Sequence, residues 1–121
     1  MSGRSNRYLS TSDELREQLQ AAVEELVKEF SPEEIYLFGS LVEGRARQES
    51  SADVLIITNG VANDRFIARI KRAIKAAKSL PHIAPLVYTP SEVEILKQQG
   101  DGFIQDVLEE GKLLYSKKKE K

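Results

Sequence analysis

The sequence predicts a single α/β (α+β) domain in which helices pack against a small mixed β-sheet. Amphipathic stretches of helical length and short apolar runs follow one another in the order helix, strand, strand, helix, strand, helix. The chain has 121 residues, of which 40% are hydrophobic, and this is enough to form one core. One domain with a sheet of a few strands is therefore expected.

The first helix and two strands follow from local signals. Thr11 to Asp13 offer side chains that can cap a helix, and apolar residues then recur at helical spacing up to Phe30. Pro32 ends this helix. The apolar runs at residues 35–38 and 54–57 are bounded by glycine, aspartate and asparagine, which is typical of buried strands. We expect these two strands to be neighbours in the sheet.

A second long helix is predicted to begin at Asn63 or Asp64 and to end before Pro81. Its inward face is predicted to carry the larger apolar side chains, which are Phe66, Ile67, Ile70, Ile74, Ala77 and Leu80. A row of basic residues is predicted to form its other face, which is either solvated or a contact surface for phosphate or RNA, with the solvated face favoured; these are Arg65, Arg69, Arg72, Lys75 and Lys78.

The remainder of the chain predicts a third strand, two short helices and the domain boundaries. Pro85 lies within the strand at residues 83–88 and cannot donate a hydrogen bond to a sheet, so it favours an edge position or a bulge. Ser91 and Glu94 resemble a capping box of the next helix. Residues 112–115 are either a last strand or a docked extended segment. The domain is predicted at residues 11–115, between a flexible tail at residues 1–10 and a basic tail at residues 116–121.

Composition excludes several classes of function. The 18 Lys and Arg nearly balance the 19 Asp and Glu, so bulk charge predicts neither a nucleic-acid nor a membrane partner. The absence of cysteine excludes thiol catalysis and disulfides, and the single histidine, His82, excludes a zinc site of several histidines. With no apolar run near the roughly 20 residues of a membrane span, a cytoplasmic location is expected.

Candidate chemistry lies between the first two strands. Gly39 and Ser40 end the first strand, and a glycine followed by a serine at a strand end can hold a phosphate on backbone N–H groups and a hydroxyl. An ordinary turn has the same two residues. The segment then leads directly to Asp53 at the start of the second strand.

The whole segment resembles the minimal nucleotidyltransferases of the DNA polymerase beta-like superfamily. The matching positions are Phe38, Gly39, Ser40, Gly44, Ala46, Ser50 and Asp53. The resemblance extends over residues 12–115 and implies the nucleotidyltransferase fold. In that family, three carboxylates hold two Mg²⁺ ions that activate a nucleotide for transfer.

The resemblance implies that this carboxylate set is depleted. The first two acids of the family belong to an Asp-x-Asp pair, and here Ser51 stands at the first position while Asp53 remains at the second. The third acid belongs on the third strand at residues 83–85, where counting favours Ala84. Asp53 is therefore the expected residual catalytic and metal-binding residue, Ser51 and Ala84 mark vacated positions, and Gly39 and Ser40 are the expected nucleotide-binding residues.

Three interpretations remain open. In the first interpretation, the chain is a degenerate nucleotidyltransferase that binds a nucleoside triphosphate without transferring its nucleotide. Asp53 then caps a turn or retains weak metal binding. Alternatively, it is an active enzyme that needs Mg²⁺, with ligands relocated to Glu49, Asp64 or Glu92. In the third interpretation, the chain is an antitoxin-like interaction module, because minimal members of the family pair with small helical HEPN-type proteins.

Overall fold

The computed structural model describes residues 5–39 and 52–120, and the side chains of residues 14–39 and 52–118. Ser40 and Ser51, both named as site residues above, lie outside this part of the chain, as does Glu49. The described elements are four α-helices, four strands and two short 3-10 helices, which confirms the predicted α+β class.

Helix α1 (Ser5–Phe30) lies across one face of the sheet. It begins at Ser5, and not at the predicted caps Thr11 to Asp13, so the helix takes in part of the predicted N-terminal tail. It ends at Ser31, which adopts the left-handed backbone conformation (φ 46°) common after a helix and donates its N–H to the Val27 carbonyl at 2.9 Å. Buried Pro32 prevents the helix from continuing.

The sheet has four strands: β1 (Glu34–Phe38), β2 (Ala52–Ile57), β3 (Ile83–Tyr88) and β4 (Lys112–Ser116). Their order is β3-β2-β1-β4. Strand β1 is antiparallel to both β2 and β4, whereas β2 and β3 are parallel, so the sheet is mixed as predicted. Strand β3, which contains Pro85, lies at an edge, and residues 112–115 are part of a true strand.

Helices cover both faces of the sheet. One face packs against α1 and α2 (Phe66–Ala76), and the buried residues Leu26, Ile35, Val54, Ile56 and Val87 form the centre of this core. The other face packs against α3 (Pro90–Gln98) and α4 (Gly102–Glu110), around Leu55, Ile57, Val93, Ile104 and Val107. Alternation along β2 supplies side chains to both cores.

Helix α2 is rotated relative to the sequence prediction. Its buried face carries Arg69 and Ala73, while Phe66, Ile67 and Ile74 are exposed by 51%, 55% and 48%. The cap is also different, because Arg65 occupies the N-cap position without a side-chain hydrogen bond, and not Asn63 or Asp64. The predicted inward face was therefore wrong for Phe66, Ile67 and Ile74, whereas Ala77 and Leu80, which follow α2, are buried as predicted. In the predicted solvated row, Arg69 is buried and Arg72 is half-buried, while Arg65, Lys75 and Lys78 are exposed as predicted.

The physical reason for this rotation is the Arg69 guanidinium, which makes four hydrogen bonds at a buried position where an apolar side chain was expected. It donates to both carboxylate oxygens of Glu92 at 2.7 and 3.0 Å, to the Val87 carbonyl at 3.0 Å and to the Asp64 carbonyl at 3.1 Å. A charged group that is paired in this way can be buried. The small side chain of Ala73 lets the helix approach the sheet closely.

The caps of the last two helices are made by side chains. Thr89 and Glu92, not Ser91 and Glu94, form the capping box of α3: the Glu92 N–H donates to the Thr89 hydroxyl at 3.1 Å, and the Thr89 N–H donates to the Glu92 carboxylate at 2.9 Å. Asp101 caps α4. Among the described residues, none of the helices is long and apolar enough to cross a membrane.

Candidate functional site

Asp53 stands near the start of β2, between two neighbours that carry no charge. In the antiparallel pair β1–β2 its partner is Phe38, and in the parallel pair β2–β3 its partner is Ala84. Side chains of paired residues point to the same face of a sheet. Phe38, Asp53 and Ala84 therefore form one row across three strands, and the position favoured from the sequence for the third acid lies directly beside Asp53.

The absence of a side chain at Gly39 leaves room for the Asp53 carboxylate. It follows β1 in the left-handed conformation (φ 82°), which glycine adopts at little cost. A side chain at this position would collide with the Asp53 carboxylate, since a Cβ on Gly39 would lie 3.1 Å from the Asp53 Cγ and closer still to Oδ2. Whatever ligand the turn holds, Gly39 is needed for the conformation of the turn and for the close approach of Asp53.

Partial burial raises the pKa of the Asp53 carboxyl above its ordinary value, because desolvation disfavours the charged form. Among the described residues, no charged or hydrogen-bonding partner contributes to this shift. A carboxyl with a raised pKa holds its proton up to a higher pH, so a cation must displace that proton in order to bind. Raised carboxyl pKa values are also typical of functional sites.

A groove of about 390 Å³ passes Asp53 and Ala84, and its other walls are apolar. They come from both sides of strand β3 and from two helices: Phe38, Ile70, Ile74, Ile83, Pro85, Leu86 and Phe103. A second hollow of about 360 Å³ adjoins Gly39 and contains two carboxylates, Asp106 and Glu110. Phe38 and Phe103 border both spaces and contact each other edge to face, with ring centroids 5.3 Å apart.

The described residues do not fit a pair of Mg²⁺ ions. Such ions are held by several oxygen ligands, and in this family three carboxylates supply them. Within residues 14–39 and 52–118, no three acidic or histidine side chains are grouped closely enough to hold a metal ion. Asp53 has Ala84 on one side and Phe38 on the other. We therefore derive no reaction step through a metal.

Two acids that the sequence offered as relocated ligands are engaged elsewhere. Glu92 lies in α3, which follows β3 at the end opposite to Asp53, and it is held by Arg69. The end of β3 at Tyr88 is four residues, or about 13 Å, along the strand from Ala84, the partner of Asp53. Asp64 precedes α2 and lies 3.8 Å from Arg72. The third candidate, Glu49, is outside the described residues.

Sequence reasoning missed three residues that border the site: Phe103, Asp106 and Glu110, all on α4. Two acids four residues apart, as at 106 and 110, share one face of a helix, and this spacing was a usable signal. It gave no indication that α4 packs beside the end of β1, because that contact depends on the tertiary fold.

The described elements form an α+β domain in which helices cover both faces of a mixed four-stranded sheet. A family model described as "Polymerase beta, Nucleotidyltransferase" matches residues 11–120. The chain belongs to this family.

Solved structures also match this chain. A Sulfolobus solfataricus protein that carries a provisional nucleotidyltransferase assignment superposes with a TM-score of 0.67 at 18% identity, over 98% of this chain and 96% of that one. At this identity the similarity concerns the fold. BolA1 from Arabidopsis thaliana matches with a TM-score of 0.48 at 22% identity, over 60% of this chain and 94% of that one. No curated protein sequence gives a significant match.

Proposed function

We propose that this chain is a degenerate minimal nucleotidyltransferase that binds the phosphates of a nucleotide or a partner protein, with weak or no metal-dependent nucleotidyl transfer. The observation that carries the proposal is the row Phe38, Asp53, Ala84, in which a single carboxylate has a methyl group and an aromatic ring as its neighbours. In the family, acids that share this neighbourhood hold the metal ions.

The chemistry of the groove supports the same proposal. A hard divalent cation needs charged oxygen ligands, and neither an alanine methyl group nor a serine hydroxyl at position 51 replaces a carboxylate. The groove around Asp53 is otherwise lined by hydrocarbon. The turn at Gly39 and Ser40 is the part of the family's site that this sequence retains, so binding of the phosphates of a nucleoside triphosphate can persist where transfer is lost.

Two further functions each have one supporting observation. Asp106 and Glu110 border the hollow beside Gly39, which favours an active, Mg²⁺-dependent enzyme with relocated ligands as the second candidate. The exposed apolar face of α2 favours an antitoxin-like module that pairs with a helical protein of the HEPN type.

The test rebuilds the acid set. If Ser51 and Ala84 stand at the vacated positions, the double variant Ser51→Asp, Ala84→Asp places three carboxylates together, and their mutual repulsion lowers stability without metal. Addition of Mg²⁺ or Mn²⁺ reverses the loss, because a ligand that binds only the folded state stabilises it, by about 2.7 kcal/mol at one hundred times its Kd. The measurement is Tm with and without metal, for the parent and the variant.

The matched control carries Asp53→Asn in addition to the two new acids, and its gain from metal must be smaller. A parent chain that gains as much Tm from Mg²⁺ as the double variant, or that transfers nucleotide from ATP in a reaction abolished by Asp53→Ala, would overturn the proposal in favour of the active enzyme. A double variant that gains nothing would show that Ala84 is not the third position.

A further inference from the structure

The outer face of α2 carries a stripe of large apolar side chains. Ile67 and Ile74, seven residues apart, are exposed by 55% and 48%, and half-buried Ile70 lies between them. Phe66, exposed by 51%, lies at the border with β3, where its ring contacts Tyr88 edge to face. Spacings of three, four and seven residues place these side chains on one side of the helix. Exposed apolar side chains grouped in this way are typical of an interaction site.

The stripe continues into the groove at the edge of the sheet that also passes Asp53 and Ala84. Ile70 and Ile74 of α2 line this groove, as do Ile83 and Pro85 of β3. An element that lies along this groove would therefore contact both a helix and an edge strand.

The edge of β3 is poorly suited to pairing with another strand. The carbonyls of His82 and Tyr88 accept hydrogen bonds from β2 and the residue after it at 2.7 and 2.9 Å, so the alternate residues 83, 85 and 87 direct their main-chain groups away from β2. Of these, Pro85 has no N–H, and the Val87 carbonyl already accepts a hydrogen bond from Arg69. The groove therefore favours an occupant that contributes side chains, as an amphipathic helix does.

The border of the stripe is basic. Lys71 and Lys75 are exposed and follow Ile70 and Ile74 directly in the sequence, which places them at the border of the stripe. Two acids of α1 are engaged in other contacts: Glu29 accepts from Arg72 at 2.6 Å, and Glu25 accepts from the Ser79 hydroxyl at 2.8 Å. A surface with an apolar centre and a basic border is complementary to a partner helix that carries an apolar stripe flanked by acidic residues.

Pairing of this stripe with the same stripe of a second copy would bring two basic borders together, which is unfavourable. The other large exposed apolar side chains, Ile95 and Phe103, are single residues on different helices. A different protein is thus the better match.

We propose that the α2 stripe and the β3 edge groove form a docking site for an acidic amphipathic helix of a partner protein, anchored on Ile67, Ile70 and Ile74. This inference rests on the partner-binding part of the proposed function. It does not depend on nucleotide or metal, so the Tm experiment with metal and the experiment below fail independently.

The probe is a synthetic peptide of about three heptads with leucine at positions a and d and glutamate at e and g, where the glutamates also limit self-association. Fluorescence anisotropy of the labelled peptide should show saturable binding to the full chain, with a Kd on the order of 10–100 μM. Binding should weaken as salt is added. The double variant Ile67→Gln, Ile74→Gln should weaken it by about tenfold or more.

The controls separate this site from unspecific binding. Ile95→Gln changes an isoleucine that is 51% exposed at another place, and it should leave the Kd unchanged. A peptide with lysine in place of glutamate should bind more weakly. Equal binding by the parent and the double variant, equal binding of both peptides, or no saturable binding up to about 1 mM would overturn the proposal. A dimer of the parent that the double variant abolishes would assign the surface to a second copy, and would overturn it as well.

Discussion

Asp53 and Glu92 are two partly buried carboxylates that differ in their hydrogen-bond partners. Asp53 lies near the start of β2, and Glu92 lies in the helix that follows the opposite end of the neighbouring strand β3. Glu92 is held by the two hydrogen bonds from Arg69 and by the Thr89 N–H. These contacts, the Arg69 hydrogen bond first, lower the pKa of Glu92 although burial opposes them. Burial raises the pKa of Asp53. The comparison shows that it is the partners of a half-buried acid, not its depth, that make it a structural group.

The largest expected effect concerns the partnered acid. Glu92→Ala leaves the Arg69 guanidinium, 3% exposed, without its counter-charge, and we expect the free energy of unfolding to fall by about 2–4 kcal/mol. The value lies below the full range for buried pairs because the Glu92 side chain is 34% exposed. Urea denaturation measures it.

Glu94→Ala is the matched control, on the same helix. Glu94 is 61% exposed, and its ion pair within the described part of the chain is with Lys97 at 3.3 Å, so its loss should cost about 0–1 kcal/mol. Similar losses for the two variants would show that Glu92 is no more structural than a surface acid.

A smaller effect is expected where the backbone approaches Asp53. Gly39→Ala forces alanine into a left-handed conformation and against the Asp53 carboxylate, at a cost of about 2–3 kcal/mol. Gly100→Ala is the control, because Gly100 has a similar φ of 77° but a Cβ added there would meet no atom within 4 Å, and it should cost about 1 kcal/mol. In an Asp53→Ala background the two costs should become equal; a persistent difference would contradict the close approach.

The smallest effect is in the pH dependence of stability, where the two acids should act with opposite sign. The raised folded-state pKa of Asp53 makes its ionised form unfavourable in the fold. Asp53→Asn should therefore stabilise the chain at pH 7 by less than about 1 kcal/mol, and the gain should fade as pH decreases through that raised pKa towards about 4.

For Glu92, whose folded-state pKa is lowered, the contribution to stability is present above about pH 4.3 and is lost as pH falls through the lower folded-state value. Glu92→Gln should thus be destabilising at pH 7 and less so in acid. Chemical denaturation from about pH 3 to about pH 7 gives both curves, and parallel pH dependences of the two variants would contradict the contrast.

The elements of the fold could be predicted from the sequence because their signals are local. Short apolar runs bounded by turn residues predicted the strands, and Pro85 predicted an edge strand because a missing N–H is a property of the residue itself. For β4 the sequence permits either a strand or a docked extended segment, because five residues of mixed polarity do not specify a partner strand.

The orientation of α2 could not be predicted in the same way. Periodicity assigns the bulky apolar face to the core, and here that face is exposed. The decisive interaction joins Arg69 to Glu92, which is 23 residues away and on another helix. The spacing of residues within α2 does not indicate an ion pair with a residue of another helix. At the candidate site, counting predicted that Ala84 belongs beside Asp53, and the strands pair these two residues; that Ala84 stands at a vacated ligand position stays a prediction.

Strand β1 is a central strand of the sheet, and its two partner strands, β2 and β4, are synthesised at very different times. Strand β2 begins 14 residues after the end of β1, whereas β4 brings Ser116 beside Glu34, 82 residues later in the sequence. Closing so long a loop is slow relative to forming local contacts. A nascent chain that ends at residue 110 contains all four of the described α-helices, yet one side of β1 is still open to any extended segment that passes. During synthesis, the vulnerable strand of this protein is thus a central one.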